Sequence, residues 1–160
     1  MARPTNLPVD PARIAEVIDG LAQLTDPGRP YTRRAFTALF PAGRDFLLEK
    51  FRAAGLETRI DAAGNLIGRR AGRKPGSGTI MLGSHSDTVP DGGRYDGIAG
   101  VAVALEVARA LADKGIALDH DLRLSISLPR RCRSSASPAS AAAAWPACCL
   151  RTGFPARATG

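Results

Sequence analysis

Between residues 83 and 100 the chain reads GSHSDTVPDGGRYDGIAG. One of only two histidines, His85, and three aspartates, Asp87, Asp91 and Asp96, fall within twelve residues of small, turn-forming sequence. Imidazole and carboxylate together are the usual ligands of zinc and similar divalent ions. His85 and Asp87 are two apart, so an extended backbone turns both to one face. One of them can then bind a metal while the other supports it from behind through a hydrogen bond. Asp96 follows the Gly92-Gly93 turn and opens an apolar helix, whose dipole favours the charged carboxylate and suits it to bridge cations. Taken alone, a His-x-Asp pair equally describes a turn histidine with a capping aspartate. Asp91 reads as a plain turn residue, and His120, in LDHDL, as a solvated connection before a strand.

The elements that must position this cluster are legible on both sides of it. Thr79–Gly83 is a short apolar run without alternation, as expected of a strand buried on both faces. Residues 97–114 form the clearest helix, with Val101, Leu105, Ala108 and Leu111 in one stripe and Gly115 as its cap. Asp121–Ser127 alternates, placing Leu122, Leu124 and Ile126 on one face. Strand, helix and strand make one βαβ unit, with parallel strands and a right-handed crossover expected. The cluster then lies at the carboxyl end of a sheet, where chemistry usually sits in α/β proteins. Upstream, Asp10-Pro11 starts a helix with Ile14, Val17, Ile18, Leu21 and Leu24 inward, and Asp26-Pro27-Gly28 stops it. A second helix is expected over roughly 43–54, with Phe46, Leu47 and Phe51 inward, Gly55 as its cap and Pro41 obscuring its start. Residues 57–60 and 66–70 around a Gly-Asn turn read as a hairpin. The loop 69–78, RRAGRKPGSG, reads as basic and solvated.

Composition divides the chain in two. The formal net charge is +7, yet residues 1–121 hold 16 Lys+Arg against 15 Asp+Glu. The remaining six arginines, Arg123, Arg130, Arg131, Arg133, Arg151 and Arg157, have no acid among them. All three cysteines (Cys132, Cys148, Cys149) and the lone Trp145 are also in this tail. From Pro129 to Gly160, 25 of 32 residues are Ala, Arg, Ser, Pro or Cys, so the segment has no material for an amphipathic face and is expected to be disordered. Its cysteine spacing fits neither a zinc ribbon nor a redox CxxC. The start, MARPTNLPVDP, lacks the apolar core of a signal peptide, and no run of about 18 apolar residues is present to span a bilayer. A soluble cytoplasmic protein with no membrane and no nucleic-acid partner is expected.

The string GSHSDTVPDGGRYDGIAGVAVALEV, with GLETRIDAAGNLIGRR before it, resembles the metal-binding segment of the amidase, hydantoinase/carbamoylase family of binuclear metallohydrolases. That family includes N-carbamoyl-L-amino-acid hydrolases and allantoate amidohydrolases. The resemblance covers about residues 10–128. It implies an α/β fold: the N-terminal portion of a zinc-exopeptidase-like catalytic domain, with a partly parallel sheet flanked by helices, incomplete here. It implies that His85 ligates one metal, that Asp96 bridges two, and that Asp87 orients His85. The cofactors would be two divalent ions (zinc, or manganese, cobalt or nickel), bound at most weakly and in part by this chain. The substrate would be a small ureide or N-carbamoyl amino acid, with a non-peptide C–N bond hydrolysed. Full-length relatives are expected to be homodimers through a domain this chain lacks.

The sequence departs from the family pattern after Ser127. A Glu-Glu pair, one general base and one ligand, should follow, but the chain reads SLPRRCRSS. Arg130 and Arg131 stand where the acids belong, and a guanidinium neither ligates nor tolerates a cation beside it. No glutamate follows Glu106 and no histidine follows His120. A shifted reading frame near 127–129 accounts for both the missing acids and the odd tail. With permitted synonymous codons, the bases for Pro129–Ala147 read in the neighbouring frame as EEVSEFGVSCIGSRGMAG. On this reading residues 1–128 are a truncated catalytic domain, 129–160 are an out-of-frame tail, and the chain folds at most partly and has no turnover. Two rivals are an exopeptidase of the same superfamily and a non-catalytic fragment whose arginine-rich tail binds acidic partners.

Overall fold

In the computed structural model, residues 6–127 are described. Helix α1, Pro11–Gln23, begins where the Asp10 carboxylate accepts the Ala12 N–H at 2.8 Å and Pro11 takes the first helical position. Its Val17, Ile18 and Leu21 are buried, with Ile14 and Leu24 packed partly beside them. Helix α2, Leu39–Ala53, starts four residues before the expected 43. Pro41 misleads because it falls in the first turn, where a helical N–H has no partner and the missing donor is not needed. Of its expected inward residues, Leu47 and Phe51 are buried and Phe46 is partly so.

The hairpin forms as read: β1, Glu57–Ile60, pairs antiparallel with β2, Leu66–Arg70. Strand β3, Thr79–His85, leads through a loop to α3, Ile98–Asp113, and then to β4, Asp121–Ser127. Both α2 and α3 close with a glycine in the left-handed region. The Leu56 N–H reaches the Phe51 carbonyl behind Gly55, and the Ile116 N–H reaches Leu111 behind Gly115.

The four strands lie in the order β1-β2-β4-β3. β4 runs parallel to β3, with Thr79 opposite Asp121 and His85 opposite Ser127, and antiparallel to β2. The class is therefore α/β with a mixed sheet. Leu122, Leu124 and Ile126 turn to the helices and join Val17, Leu21, Leu47, Phe51, Val101 and Leu105 in one core.

One expectation fails. Strand β3 is not buried on both faces: it is an edge strand, with Ile80 41% and Met81 58% exposed. Among the described residues β4 covers one of its edges and α3 one of its faces, and nothing covers the other edge or the face that carries Met81. Among the described residues no helix is long and apolar enough to cross a membrane.

Candidate metal centre

His85 is the last residue of β3, and the chain turns away directly after it. The ring's Nδ1 lies 3.2 Å from Asp87 Oδ1 and 3.1 Å from the Asp87 carbonyl oxygen. A proton on Nδ1 has an acceptor there, which leaves the Nε2 lone pair on the opposite side of the ring. Nε2 faces Asp96 Oδ1 at 3.9 Å. The cluster read from the sequence is thus brought together: Asp87 behind the imidazole, Asp96 in front of it. Asp87 is shielded, with its side chain 13% exposed, whereas Asp96 is 62% exposed.

Backbone geometry enforces the approach. Gly97 is the N-cap of α3 with φ +68°, and a Cβ there would stand 2.5 Å from both the His85 ring and the His85 carbonyl oxygen. Only glycine meets both demands. Ser84 Oγ donates to the Gly97 carbonyl at 2.7 Å and fixes the end of β3 to the start of α3. Asp96 immediately precedes the Gly97 cap, and its exposed carboxylate faces the His85 ring.

The loop between His85 and α3 is fastened to the N-terminal segment, which sequence reasoning did not single out. Arg33 is 2% exposed. Its Nε and Nη2 donate to the Ser86 carbonyl at 2.9 and 2.6 Å, and Nη1 donates to the carbonyls of Leu21 and Leu24 at 2.6 and 3.0 Å. Its backbone N–H donates to Thr88 Oγ1 at 2.7 Å, and the Thr88 N–H returns to the Arg33 carbonyl at 3.0 Å. Burial pushes the pKa of the Arg33 guanidinium down, and the Asp87 charge opposes that. Further along, Asp91 N–H donates to Thr32 Oγ1 at 2.9 Å, and Arg94 pairs with Asp19 of α1. No signal in YTRRAF marks Arg33 over Arg34, because its partners are carbonyls rather than acids.

The remaining candidates lie elsewhere. Asp91 sits in its turn at φ +53°, with Arg29 3.6 Å from its carboxylate. His120 is exposed and lines a cleft of about 360 Å³ between the ends of α2 and α3, together with Arg70, Leu111 and Ile116. Glu106 is buried in α3, where Oε1 accepts the Asp10 N–H at 2.8 Å and Arg13 Nη2 at 2.7 Å. Its carboxylate secures α1 to α3 and does not serve the His85 cluster.

Do these donors fit a divalent ion? Ligand atoms about 2.0–2.2 Å from zinc in tetrahedral array stand roughly 3.3–3.6 Å apart. The 3.9 Å between Nε2 and Asp96 Oδ1 is close to one such edge. A catalytic ion takes about three protein ligands, and among the described residues no three His, Cys, Asp or Glu side chains gather for one. The pair matches part of a coordination shell and does not complete it.

Residues 65–127 match the model of peptidase family M28. The N-carbamoyl-L-amino-acid amidohydrolase of Paenarthrobacter aurescens is 42% identical over 108 residues, covering 68% of this chain and 26% of that protein. The ureidoglycolate hydrolase of Arabidopsis thaliana is 32% identical over 121 residues, covering 75% and 25%. Among solved structures, a hydantoinase/carbamoylase family amidase from Burkholderia ambifaria superposes with a TM-score of 0.72 at 37% identity, covering 76% of this chain and 30% of that one. Over this stretch the chain is similar to hydantoinase/carbamoylase family amidases. It spans about a quarter of the length of the curated relatives it matches. The sheet and helices of residues 6–127 superpose on part of the Burkholderia ambifaria amidase's fold, and the His85 cluster lies at the carboxyl end of strand β3.

Proposed function

We propose that residues 6–127 carry one half of the metal centre of a hydrolase acting on the non-peptide C–N bonds of linear ureides. The substrate class is N-carbamoyl amino acids or allantoate-type compounds. The observation that carries this reading is the His85 geometry: Nδ1 against Asp87 leaves Nε2 and the Asp96 carboxylate 3.9 Å apart and facing each other. His85 and Asp96 would hold the metal, and Asp87 would keep the imidazole in the ligating orientation. Two divalent ions, when bound, supply Lewis acidity that activates water and stabilises charge on the carbonyl oxygen. The relatives' names, covering carbamoyl-amino-acid and ureidoglycolate hydrolysis, support the ureide class.

The other half of the centre belongs to the frame that begins Glu-Glu after Ser127, so the chain as written has no turnover. Arg130 and Arg131 in place of the acids, and the change in composition at Pro129, support a frame displacement there; those residues lie outside the described part. The test is hydrolysis of N-carbamoyl-L-amino acids and allantoate by the chain as written and by the frame-restored protein. The expected result is no activity above blank for the first and chelator-sensitive activity for the second, abolished by His85→Ala. Activity in the chain as written, or full activity in the restored His85→Ala protein, overturns the reading. The match to peptidase family M28 favours one second reading, an exopeptidase; cleavage of dipeptides in preference to ureides by the restored protein would establish it.

A further inference from the structure

We propose that Arg33 is a positioning residue for His85, acting through Asp87. Its guanidinium and its backbone hold the residues on either side of Asp87. The Ser86 carbonyl takes two guanidinium bonds, and Thr88 exchanges a pair of bonds with the Arg33 backbone. Asp87 is thus the central residue of a three-residue stretch bolted at both ends to one side chain and its own peptide units. Nη1 reaches the Leu21 and Leu24 carbonyls at the end of α1, where the negative end of the helix favours a cation. The anchor point is therefore α1 itself rather than another loop. Space for the side chain is reserved by Gly43 in α2, since a Cβ there would stand 2.8 Å from Arg33 Cδ. The end of α1, Gly43 of α2 and the loop at Ser86 are shaped around one buried cation whose guanidinium bonds, among the described residues, all go to backbone carbonyls.

The consequence is a single orientation for the imidazole. Asp87 offers both its carboxylate and its carbonyl oxygen to Nδ1. Neither keeps its place once the Ser86 carbonyl is released from the guanidinium, since the Thr88 bonds run to the residue 33 backbone and hold only the far end of the stretch. A lysine in place of Arg33 keeps the charge but cannot donate to Ser86 and to two helix carbonyls at once, because an ammonium lacks the planar fork. Arg33 therefore decides which imidazole nitrogen carries the proton and which is free. This inference rests on the reading of Nε2 as the ligating atom.

The test is the tautomer of His85 in the 160-residue chain, read by long-range ¹H–¹⁵N correlation of the imidazole without metal. A His120→Gln variant leaves His85 as the only histidine and assigns the signals. The expected result is a single Nδ1–H tautomer in the parent. In Arg33→Met that signal is lost in favour of the mixture of a free imidazole, and Arg33→Lys restores it only in part. Asp87→Asn, which keeps the residue 87 carbonyl as an acceptor, should only weaken the Nδ1–H preference, and Arg33→Met should remove what is left of it in that background. Leu47→Ala, a core change remote from the loop, should keep the parent tautomer in its folded population and so separates positioning from loss of stability. Retention of the Nδ1–H tautomer in Arg33→Met, its loss in Leu47→Ala, or its absence in the parent overturns the proposal. Zinc added to the parent tests the metal reading separately. If Arg33 controls the tautomer but zinc leaves the Nε2 resonance unmoved, the ligand assignment fails while the positioning role stands.

Discussion

Strands β3 and β4 are neighbours in perfect register, yet they live in different environments. β4 has a partner on each edge, and Leu122, Leu124 and Ile126 are each no more than 5% exposed. β3 holds the same kind of residues opposite them, Ile80 beside Leu122 and Leu82 beside Leu124, but has no partner beyond it among the described residues. Its Met81 faces open space, and Ile80, on the side of the helices, is still 41% exposed. An apolar run without alternation is written for cover on both faces, and β4's alternation is written for cover on one. The described chain satisfies the second requirement and leaves the first unmet. An unpaired apolar edge is a template for another strand.

The contrast can be broken from the β4 side first. Leu124→Ala removes a side chain at the centre of the core and should cost about 2–5 kcal/mol in denaturant unfolding. Met81→Ala on the neighbouring strand should change stability by less than about 0.5 kcal/mol. Equal effects would mean that β3 is covered in solution. Gly97→Ala comes next, because it combines a left-handed φ with overlap on His85. It should destabilise by about 1–3 kcal/mol and displace His85 from Asp96, seen as a moved imidazole resonance.

A smaller effect is expected at the far end of β4. The Gly72 N–H and the Arg69 guanidinium hold the Asp121 carboxyl below the usual range. A lowered folded-state pKa gives stability that is complete above the unfolded value and is lost as pH falls through the folded one. That loss falls below about pH 4. Asp121→Asn should lower stability at neutral pH, change it little in strong acid where the parent carboxyl is already protonated, and so flatten the acid limb of the stability curve; an unchanged acid limb would contradict the pairing. The smallest change in stability belongs to Met81→Lys. A charge on an open edge should leave the melt unchanged but reduce self-association in sedimentation velocity. If association is unaltered, the β3 edge is not the adhesive surface.

Much of this architecture was legible because local chemistry dictates it. Asp10-Pro11, Gly55 and Gly115 mark helix ends by rules that need no tertiary context, and α3's stripe of Val101, Leu105, Ala108 and Leu111 is buried as its spacing requires. The grouping of His85, Asp87 and Asp96 was legible because a strand end, a glycine turn and a helix start leave little freedom between them. What was not legible depends on partners distant in sequence. The burial of Arg33 arises from carbonyls of Leu21, Leu24 and Ser86, and a carbonyl leaves no trace in residue type. The environment of β3 was misread because its composition records cover that residues 6–127 do not supply. The start of α2 was misplaced because proline is both a breaker and a first-turn residue, and only the backbone decides between them.

The most direct measurement is the DNA sequence across codon 128 and several hundred bases beyond. The central claim is that His85 and Asp96 are half of a centre whose other half lies in a displaced frame. It predicts that one base added or removed near codon 128 opens a long frame beginning Glu-Glu. If the frame stands as written, with Arg130 and Arg131 encoded and no such continuation, the claim is contradicted, and the His85 cluster is a fragment's remnant without a complementary set of ligands.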